Sequence, residues 1–200
     1  KQLCMVGGFD KYFQIARCFR DEDLRGDRQP EFLQLDFEMS FCEQKDVQAI
    51  IKGSIAQIIA ECIKKPLKWG KVRSFTWQHV MEKYGSDKPD LRFDLPITDV
   101  SEIVPGCGFK VFEEALKLKN GTVRALRVPG GAELSRSEID TWTELSKELK
   151  AKGLAYILFK PEGPQSPLLK FFKDGFLDSL IAKTGAKTGY ELFFGADTFK

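Results

Sequence analysis

One histidine, His79, stands among 200 residues, and the five cysteines, Cys4, Cys18, Cys42, Cys62 and Cys107, contain no CxxC pair. A Cys/His zinc site is therefore not expected. No apolar run approaches the ~18 residues that a membrane span requires, and no signal peptide is visible. Charge of one sign is missing as well, with 31 basic residues against 29 acidic and a net charge of +2. The balance holds in both halves, 16 against 16 in residues 1–100 and 15 against 13 in residues 101–200. No basic field advertises a nucleic-acid partner, so any such contact must come from locally placed residues. The second half concentrates no acid/base pair, no nucleophile–base pair and no phosphate-cradling glycines. Cys18 and Cys62 fall among apolar or small neighbours and read as buried thiols of a reducing compartment. A cytoplasmic location is the expectation.

What is present is enough apolar material, 42% hydrophobic and 12% aromatic residues, to bury a real core. One stretch organises the rest: RCFRDEDLRGDRQPEFLQLD, residues 17–36. It reads as two strands joined by a long charged loop. Residues 12–20 put Phe13, Ile15, Arg17 and Phe19 on one face and Gln14, Ala16, Cys18 and Arg20 on the other. The second strand sends Leu33, Leu35, Phe37 and Met39 one way and Gln34, Asp36 and Glu38 the other. The small Ala16 and Cys18 leave room above the polar face, where Arg20, Gln34 and Asp36 can converge. The connection, residues 21–31, is eleven residues long with seven charges, where an ordinary hairpin loop has roughly 2–5 residues. By alternation alone a ligand-binding face and a solvated outer face fit equally, since antiparallel sheets commonly face water on one side.

Around this stretch, residues 1–6 read as a helix tail closed by Gly7-Gly8. Residues 43–65 carry Val47, Ile50, Ile51, Ile55, Ile58, Ile59 and Ile63 at helical spacing, with Asp46 as candidate N-cap and Pro66 as stop. This predicts a core helix packed on the apolar face of the hairpin. Thr76 can cap a short helix that Gly85 ends, and its lone His79 reads as structural or surface. Residues 84–97 read as a turn and then a strand. From about Thr98 the elements shorten. Residues 123–132 predict a strand ending in a Pro-Gly-Gly turn. Ser135 and Glu138 form a capping box with Leu134 and Ile139 at the staple positions. Ile139, Trp142, Leu145 and Leu149 give that helix its apolar stripe, and Gly153 its predicted stop. A strand over 154–160, short helices from Ser166-Pro167 to Phe172 and over 176–183, and a strand over 190–194 complete the pattern. The fold class is α+β.

The stretch 17–36 resembles motif 2 of the class II aminoacyl-tRNA synthetases, in the form FRDED…RQPEF…QLD found in the aspartyl enzymes. YGSDKPDLR resembles the same enzymes. RALRVPGGA, AKGLAYI and FFGAD resemble the GAD domain, an α+β insertion of the bacterial-type enzymes, which also admits an organellar matrix as location. The resemblance covers essentially all 200 residues and divides them into part of a class II catalytic core, 1–97, and a GAD insertion, 98–200. It implies ATP-dependent activation of L-aspartate to an adenylate and transfer to the 3′ end of tRNA. Aspartate, ATP and tRNA are then the partners, and the complete enzyme is expected to be a homodimer using Mg2+, with no metal site within these residues.

Carried over position by position, the resemblance makes Arg20 the arginine that bridges the substrate α-carboxylate and the ATP α-phosphate. Asp21, Glu22, Gln29 and Phe32 match ATP contacts, Phe32 as the ring on which adenine stacks. Lys1 matches the lysine that meets the substrate side-chain carboxylate. Gln34 and Asp36 match the amino-acid pocket, Asp36 as partner of the substrate ammonium. Glu22, Arg25 and Arg28 match positions facing the tRNA acceptor end. Taken alone, Lys1 is also a plain terminal lysine, Asp36 a solvated carboxylate, and Arg25 and Arg28 partners for salt bridges within the loop. Leu33 stands where the family usually has Thr, on the face away from the site.

Motifs 1 and 3, the anticodon-binding barrel and the Ser-Pro-Gln run expected just before Lys1 are not in the sequence. The chain starts at lysine and reads as an interior piece of a longer protein, not expected to charge tRNA by itself. Two other readings stand beside this one. The GAD half could act as a tRNA- or protein-binding module without catalysis. A metabolic relative such as an asparagine synthetase is disfavoured by the GAD insertion and by Arg25 and Arg28.

Overall fold

A computed structural model describes residues 1–65, 72–93 and 95–199. The stop assigned to Pro66 and the position of Asp94 lie outside them. The backbone divides into two compact units, Lys1–Ser74 and Phe75–Lys200.

In the first unit a short helix α1, Gln2–Val6, precedes strand β1, Lys11–Phe19, and strand β2, Glu31–Met39. The strands pair antiparallel without a break from Lys11↔Met39 to Phe19↔Glu31. The predicted alternation is therefore the real one, each strand beginning one or two residues earlier than expected. Helix α2, Gln44–Ile58, follows and ends in a π-helical turn, Ile59–Ile63. Its cap is a correction. Asp46 is not the N-cap; Glu43 is, and Asp46 sits three residues in, its carboxylate accepting from the Glu43 N–H at 2.9 Å. The helix begins three residues earlier than an Asp46 cap allows.

The packing of α2 is a second correction. Its isoleucines face the hairpin, but none of its residues is buried. Ile50, Ile51, Ile55 and Ile58 line a groove of about 480 Å3 together with Phe13, Leu35 and Phe37. Phe13 remains 73% exposed and Leu33 72%. Two strands are too narrow a sheet to cover a four-turn apolar stripe.

The second unit opens with α3, Trp77–Tyr84, capped as predicted: the Thr76 hydroxyl accepts from His79 N–H, and Gly85 closes the helix in the left-handed conformation. Its sheet has the order β3-β4-β7-β5-β6, every neighbouring pair antiparallel. The strands are β3 Ile97–Asp99, β4 Gly121–Pro129, β5 Ala155–Lys160, β6 Gly163–Gln165 and β7 Tyr190–Thr198. β4 and β7 pair over nine residues each, from Gly121↔Thr198 to Pro129↔Tyr190. On one face Val123, Ala125, Ile157, Phe159, Leu192 and Phe194 meet Phe112 and Ala115 of α4, Lys110–Leu116, and Phe176 and Leu180 of α6, Phe176–Thr184. The Phe112 ring stands edge-on to Phe109 with centroids 4.8 Å apart, an arrangement that adds to area burial.

Helix α5, Arg136–Glu148, starts on the predicted capping box: Ser135 Oγ accepts from Glu138 N–H at 3.3 Å, and Glu138 accepts from Ser135 N–H at 2.8 Å. Its end differs from expectation. Lys150, at φ +71°, takes the left-handed position in place of Gly153. The N–H of Ala151 bonds to Ser146 C=O and that of Lys150 to Lys147 C=O, which closes the helix three residues early. Of its apolar stripe only Ile139 is buried; Trp142, Leu145 and Leu149 are exposed. The predicted helix from Ser166 to Phe172 is shorter, one 3-10 turn at Leu169–Phe171, with Ser166 Oγ accepting from Leu168 N–H.

The cysteine reading is corrected too. Cys62 is exposed and Cys18 half-buried, while Cys107 is the buried thiol. Cys107 lies in the core beside Phe109, and burial pushes its thiol up. No disulfide is formed.

Candidate active site

All ten candidate residues lie in the first unit, on α1, the hairpin and its loop. Because side chains alternate along paired strands, Gln14, Ala16 and Cys18 of β1 stand opposite Asp36, Gln34 and Phe32 of β2 on one face. This face is the more covered one. Phe32, Gln34, Asp36, Ala16 and Cys18 are half-buried, whereas the apolar face is open.

Two clusters form on it. In the first, α1 brings Lys1 over the middle of β2. The Lys1 ammonium lies 2.8 Å from one Asp36 carboxylate oxygen and 2.9 Å from the other, and 3.6 Å from Glu38. The hydrogen bond to Asp36 holds Lys1 above the usual lysine value and Asp36 below the usual carboxylate range. Gln14, directly across the ladder, adds a smaller lowering influence on the same carboxyl.

The second cluster sits where strands give way to loop. Arg20 N–H donates to Pro30 C=O at 2.8 Å, so the ladder extends one step past the strand ends. The Arg20 guanidinium lies over the Phe32 ring, 5.1 Å from its centroid. Glu22 stands between two arginines, 3.9 Å from Arg20 and 3.0 Å from Arg28. Its hydrogen bond raises Arg28 above the usual arginine value. The loop is pinched by backbone bonds between Arg25 and Arg28, 3.1 and 3.4 Å long. Gln29 and Phe32 line an open cleft with Arg17, Leu24, Pro30, Glu31 and Leu33, about 790 Å3 in volume. Arg17 pairs with Glu31 across the strands.

Lys1, Asp36, Arg20, Phe32, Glu22 and Arg28 are thus drawn into two contacting groups. Gln34 lies on the same face between Asp36 and Phe32, and Gln29 lines the adjoining cleft. Among the described residues Asp21 and Arg25 make no side-chain bond to either group; Arg25 is tied to Arg28 through its backbone. Two participants were not singled out from sequence, Gln14 and Glu38. Their signal was parity: both share the face of Asp36, one across the ladder and one two residues along. Among the described residues no group of three or more His, Cys, Asp or Glu side chains is arranged to hold a metal. No helix of the described residues is long and apolar enough to cross a membrane.

Compared with known proteins, residues 1–188 match the model of the tRNA synthetases class II (D, K and N). The chain belongs to this class II synthetase family. It is 51% identical over 197 residues to the aspartate--tRNA ligase of Clostridium perfringens, covering 98% of this chain and 33% of that protein. It is 49% identical over 198 residues to the aspartate--tRNA(Asp/Asn) ligase of Moorella thermoacetica, covering 99% of this chain and 33% of that protein. The aspartate--tRNA ligase of Lactiplantibacillus plantarum is 47% identical over 202 residues, again a third of its length. The synthetase chain described here spans about a third of the relatives it matches.

Proposed function

We propose that these 200 residues are an interior part of an aspartate--tRNA ligase and carry the motif 2 half of its adenylation site. Residues 1–97 are proposed as catalytic core and 98–200 as the GAD insertion. This functional division differs from the division into compact units, since α3 joins the second unit, where Arg124 donates to the Glu82 carbonyl at 3.0 Å.

The observation that carries the reading is the Lys1–Asp36 pair on the same face as Arg20 and Phe32. An amino acid with a side-chain carboxylate presents one ammonium and two carboxylates. Lys1 and Asp36, which neutralise each other in the free chain, separate to take the side-chain carboxylate and the ammonium. Gln14 and Glu38 keep each of them oriented during that exchange. Gln34 completes the pocket wall.

Arg20 is permanently charged and planar, so it holds the α-carboxylate and the ATP α-phosphate together and stabilises charge as it grows on phosphorus. The carboxylate oxygen attacks the α-phosphorus, a P–O bond forms, and the bond to pyrophosphate breaks. Adenine stacks on Phe32, which requires Arg20 to turn from the ring face toward the phosphate. Gln29, Asp21 and Glu22 are the remaining proposed ATP contacts. Glu22, Arg25 and Arg28 are proposed to face the tRNA acceptor end, where released arginines suit phosphate and base-edge contacts. Mg2+ screens the polyphosphate when bound.

The test is Arg20→Ala in the longer ligase chain that contains these residues. Aspartate-dependent pyrophosphate exchange is expected to fall several hundredfold, the activation free energy rising by about 3–4 kcal/mol. A loss under tenfold rejects the role of Arg20. The closed core of the second unit favours one further reading, a docking module in that half. Specific tRNA binding by the 200-residue chain that survives Arg20→Ala would support that module over the half-site.

A further inference from the structure

Glu191 takes no part in the site described above. It lies on β7, the central strand of the second sheet, and is fully buried. Val128 of β4 and Leu158 of β5 flank it in register. Neither carboxyl oxygen has a hydrogen-bond partner. Above it passes the strap that follows the Val-Pro-Gly-Gly turn, a single 3-10 turn at Gly131–Glu133. A Cβ on Gly131 would stand 2.7 Å from Glu191 Cβ and 3.0 Å from Oε2, so the strap backbone rests on this side chain and admits only glycine there. Gly130, at φ +78°, turns the chain into the strap, and Ala132 N–H ties it to Gly189 C=O at 3.3 Å. Ala132 in the strap and Ile139 at the start of α5 are themselves buried.

We propose that Glu191 and the strap form a pH-sensitive catch, closed over the neutral carboxylic acid and loosened when the acid ionises. A buried carboxylate without hydrogen bonds is far costlier than the neutral acid. The charged groups on this side include Glu133 on the strap, Glu138 at the start of α5, Lys160 on β5, Arg124 on β4, Asp99 on β3 across from Arg124, and Asp197 on β7. Glu138 is held by Ser135, and Arg124 by the Glu82 carbonyl and the Phe199 ring. Asp197 lies 3.7 Å from Lys152. Glu133 and Lys160 leave both Glu191 oxygens unbonded.

Burial alone pushes the Glu191 carboxyl up to about 7 from an ordinary 4.5. With the folded value raised, its stabilisation is complete below about 4.5 and is lost as pH rises through about 7. The strap lies outside the β4–β7 and β5–β7 ladders and rests directly on Glu191, so the loss is expected there.

The experiment is backbone amide exchange on the 200-residue chain at pH 5 and pH 8.5, corrected for intrinsic rates. Protection at residues 130–134 is expected to fall on the order of a hundredfold more than protection in the β4–β7 ladder. Glu191→Leu, which fills the same space without a charge, is expected to abolish that difference. Glu191→Gln provides the same test should the leucine variant fold poorly. Equal protection of the strap at both pH values, an equal loss across the ladder, or a pH dependence that persists in a folded variant overturns the catch.

Discussion

The two compact units place their apolar side chains in opposite ways. In Phe75–Lys200 a five-stranded sheet, α4 and α6 enclose Val123, Ile157, Leu180 and Leu192, each without exposed surface. In Lys1–Ser74 the equivalent alternation yields a hairpin whose polar face is half-covered and whose apolar face is open. The same rule of strand parity operates in both. What differs is the number of strands and helices available to cover the face that parity selects.

The largest effect that could break this contrast is a core truncation. Leu192→Ala is expected to destabilise the second unit by about 2–5 kcal/mol, because no neighbour can collapse into a site between two paired strands. Leu35→Ala, at a position 58% exposed on the open face, is expected to change the first unit by under about 1 kcal/mol. Urea denaturation of the 200-residue chain, followed residue by residue through amide exchange, separates the two. Equal losses would mean that the open face is not open in solution.

A smaller effect sharpens the same contrast at the level of helix ends. Ser135→Ala removes the acceptor for Glu138 N–H and the hydroxyl that donates to its carboxylate, keeps the backbone N–H donor, and is expected to cost about 1 kcal/mol in the second unit. The capping box also holds the Glu138 carboxyl below the usual range, so the stabilisation it gives is present above the ordinary glutamate value and fades as pH falls. The backbone N–H of residue 135 lowers that carboxyl most and survives in Ser135→Ala, so only the hydroxyl's share is lost and the variant should differ from the parent slightly less in acid than at neutral pH. A difference independent of pH argues against the box.

These helix ends also show what was legible in the sequence. Ser135, Glu138, Thr76 and Gly85 act through neighbours three or four residues away, so local pattern found them. Gly153 failed because Lys150 adopted the left-handed conformation three residues earlier, at a strain that packing elsewhere outweighs. Asp46 failed because a reciprocal cap lets an acid three residues inside the helix look like the cap itself. The hairpin alternation was legible, and with it the shared face of Arg20, Gln34 and Asp36. The Lys1–Asp36 contact spans 35 residues and depends on how α1 enters β1, which no local pattern encodes. The openness of the apolar groove was equally hidden, since periodicity shows which side chains want cover and not whether cover exists. Helix α4 and edge strand β6 escaped notice because both are short and surrounded by Gly and Pro. Glu191 read as an ordinary strand residue, and only the passage of Gly131 over it makes it exceptional.

The smallest expected effect lies on the polar face of the first unit, where coverage is partial and solvent screens charge. Asp36 is held low by Lys1 first and by Gln14 in addition. Followed by NMR, its carboxyl should titrate below the ordinary aspartate value, and Lys1→Met should return it upward by a larger step than Gln14→Ala. Because the folded value is depressed, the pair's contribution is present above the ordinary aspartate value and is lost as pH falls through the depressed one. The pair is exposed enough that the overall midpoint of unfolding should hardly move in either variant. If Lys1→Met leaves the Asp36 titration where it was, the ammonium is not seated on that carboxylate. The charge exchange proposed for aspartate binding then loses its starting state, because a pocket with no resident cation has nothing for the substrate carboxylate to take over.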